Sequence, residues 1–553
     1  MRLKVGDDQY PKGTGRRWAP PVVSLAAGIL GLFLGGSAPV AAADDSPRRG
    51  GILRVARPND PQSINPAVCY DIESLLITRL IFQGLVDFDE QQKIVPKQAT
   101  DWVISADRKT YTFHLRPGVR FANGREVVAA DYVYSLQRVL DLKNQSPGEA
   151  FFNGIVGTQE FQQGKARSVS GLRAPEKYTL EIELGAPDFA FEFKLAMTFA
   201  CVVPREALEA QGSQFWLHAF GTGPYQLKDW TRGVKMTLER SPQVNQSDEG
   251  YFDRIEVMIG GDRALHTMML ERGEMDFVYL VQVPDIVRLS RGQQSREGLQ
   301  VISQAFTDFL YLNTEMPPFD QLKVRQAVAQ AIDTKRLASL TAHTAEAPRG
   351  ILPPLMLGFN PDPKGFAFNP ERARQLLQEA GHKEPFSFDL WYSEDDPRTG
   401  RIVGAIESDL RAVGITANLR RVTMATLLTG MQTRKKVTGG CLGWGQDYPD
   451  PSNFLDVLFN GAHLVDYGGN NFAYYNNAEV NQRLGEAERV ALPAERYRRY
   501  QEIEKLILQD APMVPLGHSG IPVLVSPAVG GFRPHPVWSV QIEHWWLREP
   551  LKK

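Results

Sequence analysis

Asp447 and Asp450 share the segment 443–455, GWGQDYPDPSNFL, with Trp444, Gln446 and Tyr448. Prolines 449 and 451 remove backbone donors, and glycines 443 and 445 permit unusual dihedral angles, so no regular element runs through it. The small-residue stretch before it, 437–442, reads as a buried strand. Trp444 and Asp447 therefore stand at a strand end, a common place for ligand contacts; the alternative is a structural turn whose Trp plugs a core. The two carboxylates could also be imagined as a glycosidase acid and base, a role that depends on a separation the spacing does not give.

No other constellation in the chain suggests chemistry. There is no G-x-S-x-G elbow and no H-E-x-x-H, and the nine His are scattered without metal-ligand spacing. Gly221-Thr222-Gly223 lacks the G-x-G-x-x-G spacing and opens no helix, which excludes nucleotide binding. The chain reads as no enzyme, with no cofactor and no metal. Its 62 basic and 64 acidic residues give a net charge of −2, without the basic excess of a nucleic-acid binder. Cys69, Cys201 and Cys441 allow at most one disulfide and leave its pairing open.

The elements that must position the loop are legible around it. The run 386–392, a helix near 400–413 and the run 415–422 alternate β-α-β, which implies a part-parallel α/β lobe with the 443–455 segment at its next strand end. A helix is predicted over 324–340, another from Asn369-Pro370 to Gly381, and a last one over 494–509, before strands carrying Trp538, Trp545 and Trp546. Toward the N-terminus, 51–55 is a first strand and 71–84 a helix. Cys69, Tyr70 and Asp71 then lie in a loop feeding a helix N-terminus, where unpaired amides suit a ligand, although such an Asp is more often the helix cap. Residues near 90–200, with alternating strands at 110–115 and 179–184 and a helix over 129–140, form a small mixed insertion. At 553 residues the chain is long enough for two to four domains.

The first 43 residues read as an export signal. Lys12, Arg16 and Arg17 precede the apolar run 22–34, and Ala41-Ala42-Ala43 precedes Asp44, so cleavage is expected after Ala43, an uncleaved anchor being the alternative. Cleavage removes five basic residues against two acidic ones and leaves a mildly acidic chain. No cysteine sits near the cleavage point for lipid attachment, so a freely soluble exported protein is expected. The Asn-x-Ser sequences at Asn144 and Asn245 would matter only in a eukaryotic secretory pathway.

Six stretches in order carry a resemblance: GGILRVARPNDPQSINP (50–66), LIFQGLVDFD (80–89), TYTFHLRPGVRFANGREVVAADYVYSLQRV (110–139), GTGPYQLKDW (221–230), PPFDQLKVRQAVAQAID (317–333) and GWGQDYPDPSNFL. With them the chain resembles, over 50–550, the extracytoplasmic solute-binding proteins of ABC importers, the family that includes periplasmic oligopeptide- and dipeptide-binding proteins. The resemblance implies a periplasmic-binding-protein-like α/β fold: two lobes with crossover strands and an inserted mixed α/β domain. Lobe I would take 44–88, 206–306 and 517–553, domain II 89–205, and lobe III 307–516, with ligand between lobes I and III. It also implies a periplasmic monomer that hands a peptide or other small molecule to membrane permease subunits. In peptide-binding members the Asp of the G-W-x-x-D motif, here Asp447, binds the ligand's α-ammonium. The loop Cys69, Tyr70, Asp71 would run beside the ligand, and Trp444 and Tyr448, with Gln446 between them, would line the cleft. Cys441 stands where some peptide binders place an Arg for the ligand carboxylate. Members that bind sugars, opines or nickel complexes leave the ligand open.

Overall fold

The computed structural model describes residues 46–244, 248–292, 298–363, 365–394 and 397–548. The expected signal segment 1–43, its cleavage point and Asn245 lie outside these residues. Three main sheets organise the rest. The first has seven strands in the order Leu299–Ile302, Ile521–Val525, Phe277–Tyr279, Ile52–Arg57, Arg254–Ile259, Lys235–Arg240 and Tyr225–Thr231. Its strand Ile52–Arg57 runs parallel to both neighbours, Val55 lying opposite Val257 on one side and Phe277 on the other. Leu53, Val55, Ile255, Phe277 and Val523 are fully buried on one face of it, and Ala56, Val278 and Leu524 enter a second, smaller core on the other.

The second sheet has six strands in the order Ala345–Glu346, Met513–Ser519, Phe306–Leu312, Gly439–Gly445, Phe386–Ser393 and Ile415–Val422. The predicted β-α-β unit is here: Phe386–Ser393 and Ile415–Val422 pair in parallel, Phe386 opposite Ile415, through helix Pro397–Ala412. Strand Gly439–Gly445 joins in parallel with Leu390 opposite Gly439, and brings the loop to the sheet's edge. Side chains alternate across Phe306–Leu312, so Leu310 and Leu312 enter one core and Phe309 and Tyr311 the other. Helices Leu322–Ala331, Pro370–Glu379 and Pro397–Ala412 close the first core. Helices Met424–Met431, Ser452–Phe459, Ala478–Glu488 and Pro493–Asp510 close the second.

The third sheet is antiparallel: Ala99–Ile104, Thr110–Leu115, Thr179–Glu183 and Leu172–Glu176, covered by helix Ala129–Leu140 through Tyr132, Leu136 and Leu140. The two large sheets are joined by the chain at 303–305 and at Gly520, beside the expected crossings at 306 and 517. Gly520 has no room for a side chain, since a Cβ would come 2.7 Å from Val301 Cγ1 and 2.9 Å from the Ile302 carbonyl oxygen.

Two expected elements differ. The helix over 324–340 is two helices, Leu322–Ala331 and Thr334–Ser339, because Asp333 caps the second by accepting from the Arg336 amide at 3.1 Å. Trp538 lies in a loop, and only Trp546 joins a strand, Trp546–Leu547, paired with Val529–Gly530. Cys69, Cys201 and Cys441 are buried free thiols.

Candidate functional site

The loop after Gly445 is held from two sides. On one side Asp450 accepts two hydrogen bonds from Arg496, Nε to Oδ2 at 3.0 Å and Nη2 to Oδ1 at 2.9 Å, with both side chains at least 95% buried. Arg496 also donates to the carbonyls of Ala487 and Glu488, and Asp450 receives the Ser452 amide at 3.0 Å. On the other side the Trp444 indole donates to the Asn453 carbonyl at 3.1 Å, and the Gln446 amide N–H donates to the Ala305 carbonyl at 2.9 Å. Asp450 is thereby committed to an internal ion pair, and the carboxylate pair imagined for glycoside chemistry does not form.

Asp447, three residues earlier, has no cation beside it among the described residues. Asn453 reads it twice, its Nδ2 donating to Asp447 Oδ2 at 2.8 Å and its Oδ1 accepting from the Asp447 amide at 2.9 Å. Across the cleft the Tyr70 hydroxyl faces it. Burial pushes the Asp447 carboxyl up to about 6, against the lowering effect of these hydrogen bonds. The same burial, with Asp447 alongside, holds the Tyr70 phenol well above its ordinary value.

This carboxylate lies in the wall of a cavity of about 280 Å³ between the two large sheets. Tyr70, Trp444, Gln446 and Asp447, expected from the sequence, line it; so do Arg57, Arg79, Tyr279, Phe306 and Trp538, which were not expected. Arg79 is satisfied internally by Asp87 at 3.3 Å and Glu543 at 3.5 Å and stacks on the Trp538 ring at 3.8 Å. The other three expected residues sit behind the wall. Cys69 is 1% exposed, its thiol turned to the Pro66 carbonyl and Thr198. Asp71 caps helix Ile72–Ile81 through the Ser74 amide at 2.9 Å, the ordinary role for such a residue. Tyr448 is buried, edge-on to Phe151 of the small domain, with its hydroxyl on Ser452. All three adjoin wall residues in the sequence, but packing and capping turn them away from the cavity.

A second cavity of about 420 Å³ adjoins the first, the two sharing Phe306 and Gly443 in their walls. Phe306 lies across the Gly439–Gly445 strand so closely that a Cβ on Gly443 would meet its ring at 2.2 Å; only glycine admits it there. The larger cavity is lined by Cys441 and by Arg263, Arg398 and Arg401, with Asp308 the acid among them. The cations come from the helices Arg263–Glu271 and Pro397–Ala412, on opposite sides of the cleft. Among the described residues no group of three or more His, Cys, Asp or Glu could hold a metal ion, and no helix is long and apolar enough to cross a membrane.

The arrangement is thus a cleft between sheets with a carboxylate that meets no cation among the described residues at one end and three arginines at the other, suited to holding a dipolar solute. Comparisons with known proteins agree in kind. Residues 93–464 match the family model of bacterial extracellular solute-binding proteins, family 5 Middle. Among curated relatives, heme-binding protein A of Haemophilus influenzae is 28% identical over 509 residues, covering 86% of this chain and 88% of that protein. The periplasmic oligopeptide-binding protein OppA of Salmonella typhimurium is 26% identical, covering 92% and 95%. Among solved structures, the periplasmic binding protein DppA of Helicobacter pylori, in complex with the peptide STSA, superimposes with a TM-score of 0.78 at 24% identity, covering 91% of this chain and 99% of that one. With a family model matching residues 93–464, well over half of its length, the chain belongs to the bacterial extracellular solute-binding proteins of family 5.

Proposed function

We propose that this protein is the exported, non-enzymatic binding component of an ABC importer, that it captures a short peptide with a free α-ammonium in the cleft between its two large sheets, and that it delivers the peptide to a membrane permease. The observation that carries this is Asp447: a carboxylate in the cavity wall, hydrogen-bonded by Asn453, faced by Tyr70, pushed up to about 6 by burial, and with no cation beside it among the described residues. An ammonium supplied by a ligand completes that site, and a charge-assisted bond in a desolvated cleft is strong. The arginines of the adjoining cavity support a ligand with an anionic far end. Relatives named for peptides support the same reading, although one relative is named for heme.

Closure over the ligand would turn on the connections at 303–305 and Gly520, between the lobes drawn at 44–88, 206–306 and 517–553 on one side and 307–516 on the other. Contacts across the cleft, such as Gln446 Nε2 donating to the Pro536 carbonyl at 2.9 Å, favour the closed arrangement; a ligand adds to them only through its own contacts to both sides.

The test is calorimetry with trialanine and N-acetyl-trialanine. Wild type should bind the free peptide and reject the acetylated one. Asp447→Asn should weaken trialanine binding by roughly 2–5 kcal/mol, the range for breaking a buried charge pair, and scarcely distinguish the two. Equal binding of both by wild type would replace the peptide with a sugar, an opine or a metal complex as the solute. Export follows from the N-terminal segment, and N-terminal sequencing of the exported protein should read Asp44 first; a start at Met1 would mean a retained anchor.

A further inference from the structure

Two parallel strands of the seven-stranded sheet end side by side at the smaller cavity. The register that pairs Val55 with Phe277 and Ala56 with Val278 makes Arg57 and Tyr279 the next residues in line. The Arg57 guanidinium lies 3.7 Å from the Tyr279 ring centre, and its Nε is paired with Glu73. Each residue is 3% exposed, yet Arg57 Nη2 and the Tyr279 hydroxyl have no hydrogen-bond partner among the described residues. A third orphan belongs to the same cavity lining: Gln446 Oε1. Because Gln446 donates through Nε2 to the Pro536 carbonyl, the unpaired end is the oxygen, an acceptor.

Buried polar atoms without partners are uncommon in folded proteins, and each calls for a cause. Here three fall in side chains lining one cavity, and they divide into two donors and one acceptor. Backbone strain sits beside them: Leu280, immediately after Tyr279, holds φ at +59°, a left-handed conformation costly for a bulky residue. That turn divides the two side chains between the cavities, Tyr279 lining the smaller and Leu280 the larger. A carboxylate is a poor occupant for the donors. Glu73 already neutralises Arg57, and Asp447 lines the same cavity, so a further buried anion would lack compensation. An amide answers the set: one oxygen with two lone pairs for two donors, and one N–H for one acceptor.

Resting on the peptide reading above, we propose that Arg57 and Tyr279 donate to the carbonyl of the ligand's first amide and that Gln446 Oε1 accepts its N–H. The cavity then recognises ammonium, α-carbon and amide as one unit, and selects peptides over free amino acids, which place a carboxylate there.

Trialanine and its analogue with a trans-alkene in place of the first peptide bond isolate this contact, since the analogue keeps length, ammonium and carboxylate. Tyr279→Phe removes one oxygen that has no hydrogen-bond partner among the described residues, so folding is retained. Wild type should prefer trialanine over the alkene by well over tenfold. Tyr279→Phe should bind trialanine about tenfold more weakly and shrink that preference by the same factor, the size of one hydrogen bond. Arg57→Lys, which keeps a cation for Glu73 but loses the guanidinium edge, should also shrink it. If Tyr279→Phe and Arg57→Lys keep the wild-type preference while Asp447→Asn still abolishes ammonium selectivity, the amide contact is refuted and the peptide reading stands. If wild type binds no trialanine, the peptide reading falls, and this contact with it.

Discussion

Asp447 and Asp450 occupy one loop and have opposite surroundings. Asp450 is enclosed with Arg496 in a two-pronged pair and caps the turn at Ser452. Asp447, also desolvated, meets only neutral donors and is pushed up to about 6. One acid holds the loop on the helix Pro493–Asp510, and the other is left without a counter-charge at the cavity. The difference teaches that the rigidity of a binding loop and its readiness for a ligand are assigned to different residues, even three positions apart. Substitutions at the two should therefore separate stability from binding.

The largest effect is expected at Asp450. Asp450→Asn leaves the Arg496 guanidinium buried without a charge partner, which costs about 3–5 kcal/mol. Urea unfolding should show that loss in the midpoint at unchanged slope. A loss under 1 kcal/mol would mean that Arg496 finds another partner and that Asp450 does not hold the loop.

At Asp447 the stability effect should reverse sign. Its folded value of about 6 stands above the ordinary 3.8, so the folded ligand-free protein holds this proton more tightly than the unfolded chain does. The resulting cost to folding is absent below about pH 4, grows between 4 and 6, and is fully present above 6. Asp447→Asn should accordingly stabilise the ligand-free protein at pH 7.5, by at most about 3 kcal/mol, and change nothing at pH 4. Destabilisation at pH 7.5 would show that Asp447 is a structural acid like Asp450.

How much of this could be read from the chain depends on how local each signal is. The β-α-β order of 386–422, the Asn369 cap and the loop 443–455 are written in neighbouring residues, and the structure has them where the pattern puts them. The helix over 324–340 failed at one capping Asp that an apolar stripe conceals. Arg57 and Tyr279 were invisible because they meet only through the pairing of strands more than two hundred residues apart. Arg263, Arg398 and Arg401 escaped for a similar reason: helices from two sides of the cleft bring them together. Arg57 and Tyr279 did have a usable signal, since both stand at the carboxyl ends of parallel strands, where α/β sheets place their ligands. For Tyr448 and Asp71 the neighbouring residues show a loop, but only packing and capping show that their side chains turn inward.

The smallest effect is also the most specific. An ammonium pairs with Asp447 only when the carboxyl is ionised, so trialanine affinity should be flat only between about pH 6.5 and about 7.5, below the range in which a peptide α-ammonium loses its proton. Below 6 it should fall about tenfold, or about 1.4 kcal/mol, for each pH unit, as binding has to remove a proton first. Other groups titrate nearby. Glu504, pushed up to about 7 by burial against the lowering effect of the Leu352 and Ile351 amides it accepts, is one of them. It lies outside both cavity linings and titrates equally in wild type and in Asp447→Asn. The difference between the two pH profiles therefore isolates Asp447. A wild-type profile that parallels the mutant's from pH 7.5 to 5 would show that the carboxylate does not meet the ligand's charge, and would leave the two acids of the loop alike in being structural.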